Sequence, residues 1–349
     1  MKRVFIYLFL LVFLSNMSFA QKTIYAGLSN YRIPLNKKGC LVAKPFHSLK
    51  SEPKLQIIED TSHLFRVKDN TLYLKKNRKV NNLDKQFVYT LKLSIENYSI
   101  KVDLVEDGFI KNKVIAHRGA WKNQDVSQNS LGSLQKAIDL GCEGSEFDIW
   151  LSSDGVPVLS HDPSIGGHQV ENTSAAVLTE ILLKNGETLP TLEQYLQLAK
   201  IQNKTTLILE IKSSGKGYSG MLRTLDSIVN VVTRWRAQGW LKYISFSYDA
   251  LLYLRKADPY SDLSYLAGDK VVEVINHDKL TGIDYSFYSY EGDGDLIKKA
   301  HALGLTVNVW TVNDSERLIF YLKNKADMIT TDEPELLLKL VHDLSIEKN

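Results

Sequence analysis

The pattern of apolar and polar positions divides the chain near residue 111. Between residues 21 and 111 short runs of β-branched and aromatic residues alternate with turn signals, and no helical period runs through them. Leu55–Ile58, Leu64–Val67, Thr71–Leu74 and Phe87–Ile95 read as strands, with Lys68-Asp69-Asn70 turning between two of them. Tyr98 to Val105 alternates apolar and polar, as a half-buried strand does. Such a stretch predicts a small all-β sandwich over 21–111. From residue 112 onward short apolar runs alternate with longer segments of helical period. Strands are expected at 113–117, 144–150, 156–160, 206–211, 243–246, 263–266, 282–284, 306–310 and 327–330. Helices are expected at 130–140, 192–200, 222–236, 249–256, 295–303 and 315–322. That alternation predicts a parallel sheet with crossover helices, the α/β class. The 238 residues of 112–349 are close to the ~250 of a TIM (β/α)8 barrel. An open doubly wound sheet would want a glycine-rich phosphate loop after its first strand, and Ala116-His117-Arg118-Gly119 is not one.

Composition narrows the function. The 349 residues carry 43 Lys+Arg against 40 Asp+Glu, a net charge of +3. That is too small for an electrostatic nucleic-acid binder, so no nucleic-acid partner is expected. Residues 1–20 read as a signal peptide: Lys2 and Arg3, an apolar run from Val4 to Leu14, then a small-x-small end at Ala20. The run is too short for a stable membrane anchor, and the expected destination is periplasmic or secreted. The mature chain would then have a net charge of +1, which favours small-molecule partners. Cys40 and Cys142 are expected as two buried thiols, not a disulfide. His47 and His63 are expected as surface or turn histidines; His168, His277 and His301 are expected to be structural.

Polar residues gather at the carboxyl ends of the predicted strands, where barrel enzymes carry their chemistry. The first strand ends in His117-Arg118. The second carries Glu146 and Asp148, two apart and therefore on one face. The next extended run ends in His161-Asp162, with Asp162 expected to orient the imidazole or cap the loop. Glu210 and Lys212 end another strand, again on one face, and Trp310 ends a later one. Crowded carboxylates repel unless a cation lies among them. Glu146, Asp148 and Glu210 suit one hard divalent ion, Mg²⁺ or Ca²⁺. Arg118 can grip phosphate oxygens as a fork, and Lys212 adds a point charge. Two histidines suit the proton transfers that a phosphodiester cleavage needs. Any one of these residues alone is more often structural; the joint set is not. Ser213-Ser214-Gly215-Lys216-Gly217 follows no Walker spacing and is expected to form a flexible rim.

Residues 113–335 resemble the glycerophosphodiester phosphodiesterase family. The matching text is Val114-Ile115-Ala116-His117-Arg118-Gly119, Gln128-Asn129-Ser130, Gly144-Ser145-Glu146-Phe147-Asp148, Asp154-Gly155-Val156-Pro157, His161-Asp162, Leu189-Pro190-Thr191-Leu192, Leu209-Glu210-Ile211-Lys212, Val309-Trp310-Thr311 and Thr330-Thr331-Asp332. The resemblance implies a TIM barrel that hydrolyses glycerophosphodiesters to an alcohol and glycerol 3-phosphate. It implies His117 and His161 as the acid/base pair and Glu146, Asp148 and Glu210 as metal ligands. Arg118 and Lys212 would contact phosphate, and Trp310 would lie by the glycerol. Two departures stand out. The family usually reads Pro-Glu-Asn-Thr where this chain has Ser127-Gln128-Asn129-Ser130, which makes the pocket less acidic. The usual Arg-Thr-Thr stretch after His-Asp is not recognisable in 166–173, so the substrate is open to difference. The stretch from Phe65 to Val105 faintly resembles a cadherin-like or immunoglobulin-like repeat, an accessory domain expected to contact a glycan or a protein. The alternatives are a lysophospholipase D-like or polymer-headgroup phosphodiesterase, for which the aromatic run Tyr285–Tyr290 would form a rim, and a non-catalytic phosphodiester-binding protein.

Overall fold

The computed structural model describes residues 25–81 and 85–346. The expected signal peptide at 1–20 lies outside the described residues. In the N-terminal region a four-stranded sheet orders Arg32–Ile33, Tyr98–Glu106, Val88–Ile95 and Leu55–Asp60. A three-stranded sheet orders Leu41–Ala43, Thr71–Leu74 and Phe65–Lys68. Ala26–Leu28 pairs with Pro45–His47. Asp69 and Asn70 both have positive φ, 48° and 52°, between the paired ends Lys68 and Thr71. A two-residue hairpin loop of that hand matches the twist of its strands, and these residue types tolerate it. Leu91, Leu93 and Ile95 alternate inward and meet Leu72 and Leu74 of the other sheet in one core. His47 corrects one expectation: it is buried, with its ring centroid 5.3 Å from that of Tyr98. His63, by contrast, lies exposed in a turn, with φ 56°. Cys142 is buried and Cys40 half-buried, both as free thiols.

Eight parallel strands form the second region. They are β1 (Val114–Ala116), β2 (Gly144–Leu151), β3 (Thr206–Ile211), β4 (Leu241–Ser245), β5 (Leu263–Tyr265), β6 (Gly282–Ser286), β7 (Thr306–Trp310) and β8 (Met328–Thr331). β1 pairs with β2 on one side and β8 on the other, so the sheet closes as a TIM-type barrel. β2 and β3 are buried along their whole lengths, as strands covered on both faces must be. One apolar layer, Ile115, Ile208, Ile244, Leu266 and Met328, fills the barrel, while a larger core packs strands against helices. The strand Pro157–Leu159 is not one of the eight. It pairs antiparallel with the end of β2. Periodicity reports that a run is extended, not what it pairs with, so His161 follows a hairpin arm and not a barrel strand.

The helix Leu131–Leu140 starts on a reciprocal cap between Ser130 and Ser133 and ends on Gly141 at φ 77°. The helix expected at 222–236 begins earlier, at Gly217. The helices Val272–His277, Phe287–Gly292 and Pro334–Ile346 were not foreseen. In the aromatic run, Tyr285 belongs to β6 and is buried, as is Tyr290, so the run packs more than it projects; Tyr288 alone is largely exposed. Among the described residues no helix is long and apolar enough to cross a membrane.

The two regions are joined by charge. Asp103, buried on strand Tyr98–Glu106, accepts from Lys200 Nζ at 2.6 Å, Arg236 Nε at 2.8 Å and Thr90 Oγ1 at 2.7 Å. Arg32 donates from Nε to the Gly239 carbonyl at 2.7 Å and lies over the Phe109 ring. Replacing Asp103 by Ala strands two cations together. We expect a loss of about 2 kcal/mol in urea unfolding, below the full cost of breaking an enclosed pair, because the Arg236 side chain is 34% exposed. An unchanged midpoint would remove Asp103 as the joint.

Candidate active site

Chain geometry at the end of β1 begins the site. Arg118 has φ 57° and Gly119 φ 80°. A Cβ on Gly119 would lie 2.7 Å from the Ser133 backbone carbon, so only glycine fits. This turn aims the Arg118 amide at Glu146, where it donates to Oε2 at 2.8 Å. Asn129, also left-handed at φ 52°, grips Asp148 at two points. Its Nδ2 donates to Oδ2 at 2.7 Å, and its Oδ1 accepts from the Asp148 amide at 3.0 Å. Unfavourable backbone conformations held in place by surrounding bonds commonly mark functional sites.

Glu146 and Asp148 face inward from β2, and Glu210 stands directly beside Asp148 across the β2–β3 ladder. Oxygens of all three carboxylates lie within 4.8 Å of one another. Lys212 Nζ is 2.7 Å from Asp148 Oδ1 and 2.7 Å from Glu210 Oε1. Lys212 and the more distant Arg118, whose Nε is 3.7 Å from Asp148 Oδ2, leave the three acids one positive charge short. Burial, then the charges of Asp148 and Glu210, push the Glu146 carboxyl well up from its ordinary value. Burial, then Asp148, push Glu210 up to about 7. Asp148 goes the other way. Burial pushes it up, but Lys212 and the bond from Asn129 outweigh this and hold it low. Glu146 Oε1 is buried without a hydrogen-bond partner, a costly state for a polar atom. An orphaned oxygen among three close carboxylates fits a hard divalent cation.

Both histidines line this cluster's cavity, a chamber of about 140 Å³. Each rests its Nδ1 on a carboxylate: His117 on Asp332 Oδ1 at 2.7 Å, His161 on Asp162 Oδ1 at 2.8 Å. Asp332 is held low, since the bond and charge of His117, with Asn313, outweigh its burial. An ionised Asp332 keeps the proton on His117 Nδ1 and leaves Nε2 free to work. Burial, then the Lys212 charge, push His161 down from its ordinary value. Arg118 Nη1 donates to Gln128 Oε1 at 2.9 Å, and its buried Nε makes no hydrogen bond but lies 3.7 Å from Asp148 Oδ2, an ion pair. Trp310 lines the same chamber, its Nε1 donating to the Asp284 carbonyl at 2.7 Å and its ring edge-on to Phe246.

The structure thus brings His117, Arg118, Glu146, Asp148, His161, Glu210, Lys212 and Trp310 together. Three neighbours were missed. Asp332 directly follows β8, and strand-end reasoning would have found it. Asn313 holds Asp332 from the loop after β7, donating to Oδ2 at 2.8 Å. Asp284 is buried on β6, pushed up to about 7 by burial. The Ser213–Gly217 segment is no loose rim: Ser214 Oγ and the Gly215 amide both bond to Glu171. His168 and His277 lie away from the chamber lining, and His301 pairs with Asp327 at 2.9 Å.

A closed parallel barrel carrying acids and paired histidines at its mouth defines a TIM-barrel enzyme scaffold. Residues 117–336 match the glycerophosphoryl diester phosphodiesterase family, and the chain belongs to it. A glycerophosphodiester phosphodiesterase from Caldanaerobacter subterraneus is 28% identical over 249 residues, covering 66% of this chain and 98% of that protein. The crystal structure of a glycerophosphodiester phosphodiesterase from Parabacteroides distasonis is 38% identical with a TM-score of 0.65, covering 68% of this chain and all of the other. An Oleispira antarctica phosphodiesterase, solved with sn-glycerol-3-phosphate as product, shares the fold at 24% identity and a TM-score of 0.59, covering 66% and 96%.

The raised carboxyls have a consequence for stability. Between about pH 5 and pH 7 the folded protein keeps a proton on Glu210 that the unfolded chain has lost. The folded state then binds more protons, so stability falls as pH rises through this window. Urea midpoints of the chelated protein should decline from pH 5 to 7.5, less steeply in Glu210→Gln. Added Mg²⁺ or Ca²⁺ should raise the midpoint more at pH 7.5 than at pH 5. Equal slopes in the two proteins would contradict the assignment.

Proposed function

We propose that this protein hydrolyses glycerophosphodiesters to an alcohol and glycerol 3-phosphate. The observation that carries the reading is the convergence of three buried carboxylates and two carboxylate-backed imidazoles on one small chamber. Family membership and the named relatives support it. In this reading Glu146, Asp148 and Glu210 hold one divalent cation, Mg²⁺ or Ca²⁺. Such an ion, when bound, polarises a phosphoryl oxygen and offsets the charge of the phosphodiester.

The chain's own residues do the rest. Arg118 is anchored through Gln128 and lines the chamber, its Nε paired with Asp148 at 3.7 Å but not hydrogen-bonded, so its guanidinium can grip a phosphate oxygen. Lys212 adds positive charge from the floor. Both histidines present Nε2 to the chamber: one removes a proton from the attacking hydroxyl, the other returns one to the leaving oxygen. Burial and the Lys212 charge favour the neutral form of His161 in the free protein, and a bound phosphodiester anion favours its protonation. Trp310 offers an apolar face to the glycerol carbons. The N-terminal β region is accessory, an attachment or spacing domain that contacts a glycan or a protein, and residues 1–20 direct export.

Glycerophosphocholine is the first substrate to test, with glycerol 3-phosphate as the measured product. His117→Ala, His161→Ala and Glu146→Gln should each lower kcat by about 10²- to 10⁴-fold. EDTA should abolish turnover and metal add-back restore it. Full activity in any of the three variants would overturn the reading. Amino-terminal sequencing of the exported protein should begin at Gln21; retention of Lys2 would argue against processing.

A further inference from the structure

A second cavity, of about 600 Å³, opens beside the first. His161 lines both. One wall of the larger groove comes from the segment after β1, including Trp121 and Val126. It also includes Gln128 and Asn129, which hold Arg118 and Asp148 on the catalytic side. The facing wall comes from the segment between Pro157–Leu159 and the helix Leu192–Ala199. That segment has its own small core of Trp150, Val158, Val170, Leu178 and Leu189, with Ile165, Ile181 and Leu183 packed on it. The walls are tied across the groove: Ser127 Oγ donates to Asn185 Oδ1 at 2.9 Å, and the Gly132 amide donates to Glu187 Oε2 at 3.0 Å. The groove is therefore built in advance of any ligand.

Its chemistry is amphipathic. Ser160, His161, Asp162 and Asn185 share its lining with the aliphatic side chains of Ile165, Ile181, Leu182 and Leu183. Leu182 is 70% exposed. Ile165, Ile181 and Leu183 also brace the small core, whereas Leu182 has no place on it. A diester has two arms, and the small chamber has room for the phosphate and a glycerol-sized arm only. The other arm must leave past His161.

We infer that this groove binds the alcohol arm of the substrate, and that the alcohol it fits is bulky and amphipathic, with its ester oxygen at His161 and an aliphatic body against Ile165, Ile181, Leu182 and Leu183. The inference rests on the hydrolase reading above. Over the whole reaction the oxygen of water ends on phosphorus, the bond from phosphorus to the alcohol oxygen breaks, and the alcohol departs with a proton from the imidazole.

The test is a series of sn-glycero-3-phosphate esters of ethanol, butanol and octanol, used below their micellar concentrations with the full chain. Each buried methylene contributes a factor of up to about 4, so kcat/KM should rise at least 10-fold from ethyl to octyl, carried mainly by KM. Leu182→Asp should flatten the rise. Ile201→Asp, an exposed aliphatic residue outside the groove, should leave it intact. Calorimetry of octyl and ethyl esters on chelated protein reads the groove without turnover, and octyl should bind more tightly. Hydrolysis of every ester without chain-length dependence overturns the inference and leaves the hydrolase reading standing. No hydrolysis of any ester overturns the hydrolase reading, and equal calorimetric affinities then overturn the inference as well.

Discussion

Everything at the barrel mouth answers to one constraint: three carboxylates share a buried space with one close lysine and the more distant guanidinium of Arg118. Glu146, Asp148 and Glu210 repel one another in a medium that screens poorly. The protein meets this unevenly. Asp148 receives Lys212 and both ends of the Asn129 amide, and so stays charged. Glu146 and Glu210 are left holding protons they would readily exchange for a cation. The site is electrostatically unfinished, and that deficit is what suits the three carboxylates to a hard ion.

Backbone geometry makes the deficit durable. Arg118, Gly119 and Asn129 all occupy the left-handed region, and each is locked by bonds reaching to β2 or to the helix that follows. The same loop supplies the amide on Glu146, the clamp on Asp148 and the guanidinium that would meet phosphate. With Gln128 in place of the family's usual glutamate, Arg118 is held by a neutral partner and its charge is not cancelled there. In the sequence that departure reads as a less acidic pocket; in the fold the glutamine is a hydrogen-bond partner of Arg118.

Much of this was readable from the chain. Strand-end clustering located His117, Glu146, Asp148, Glu210, Lys212 and Trp310, because a closed parallel sheet delivers all carboxyl ends to one mouth. β3 and β7 fall at their expected bounds, since continuous apolar runs between turn residues leave little choice. His161 was placed correctly for an incorrect reason. Its strand is an antiparallel arm on β2, and pairing partners leave no trace in local hydrophobicity. His47 was misjudged because a solitary polar residue carries no pattern, and only packing against Tyr98 decides its burial. The groove of the further inference was also invisible, for its two walls lie on segments with no shared period.

Closure of the sheet has a last consequence. His117 stands at the start of the barrel and Asp332, which sets its tautomer, comes 215 positions later. A ribosome must therefore complete nearly the whole polypeptide before that imidazole has its carboxylate. Growing or clipped chains carry His117 without the carboxylate that holds its Nδ1 in the native fold. Only a polypeptide long enough to pair its last barrel strand with its first has both.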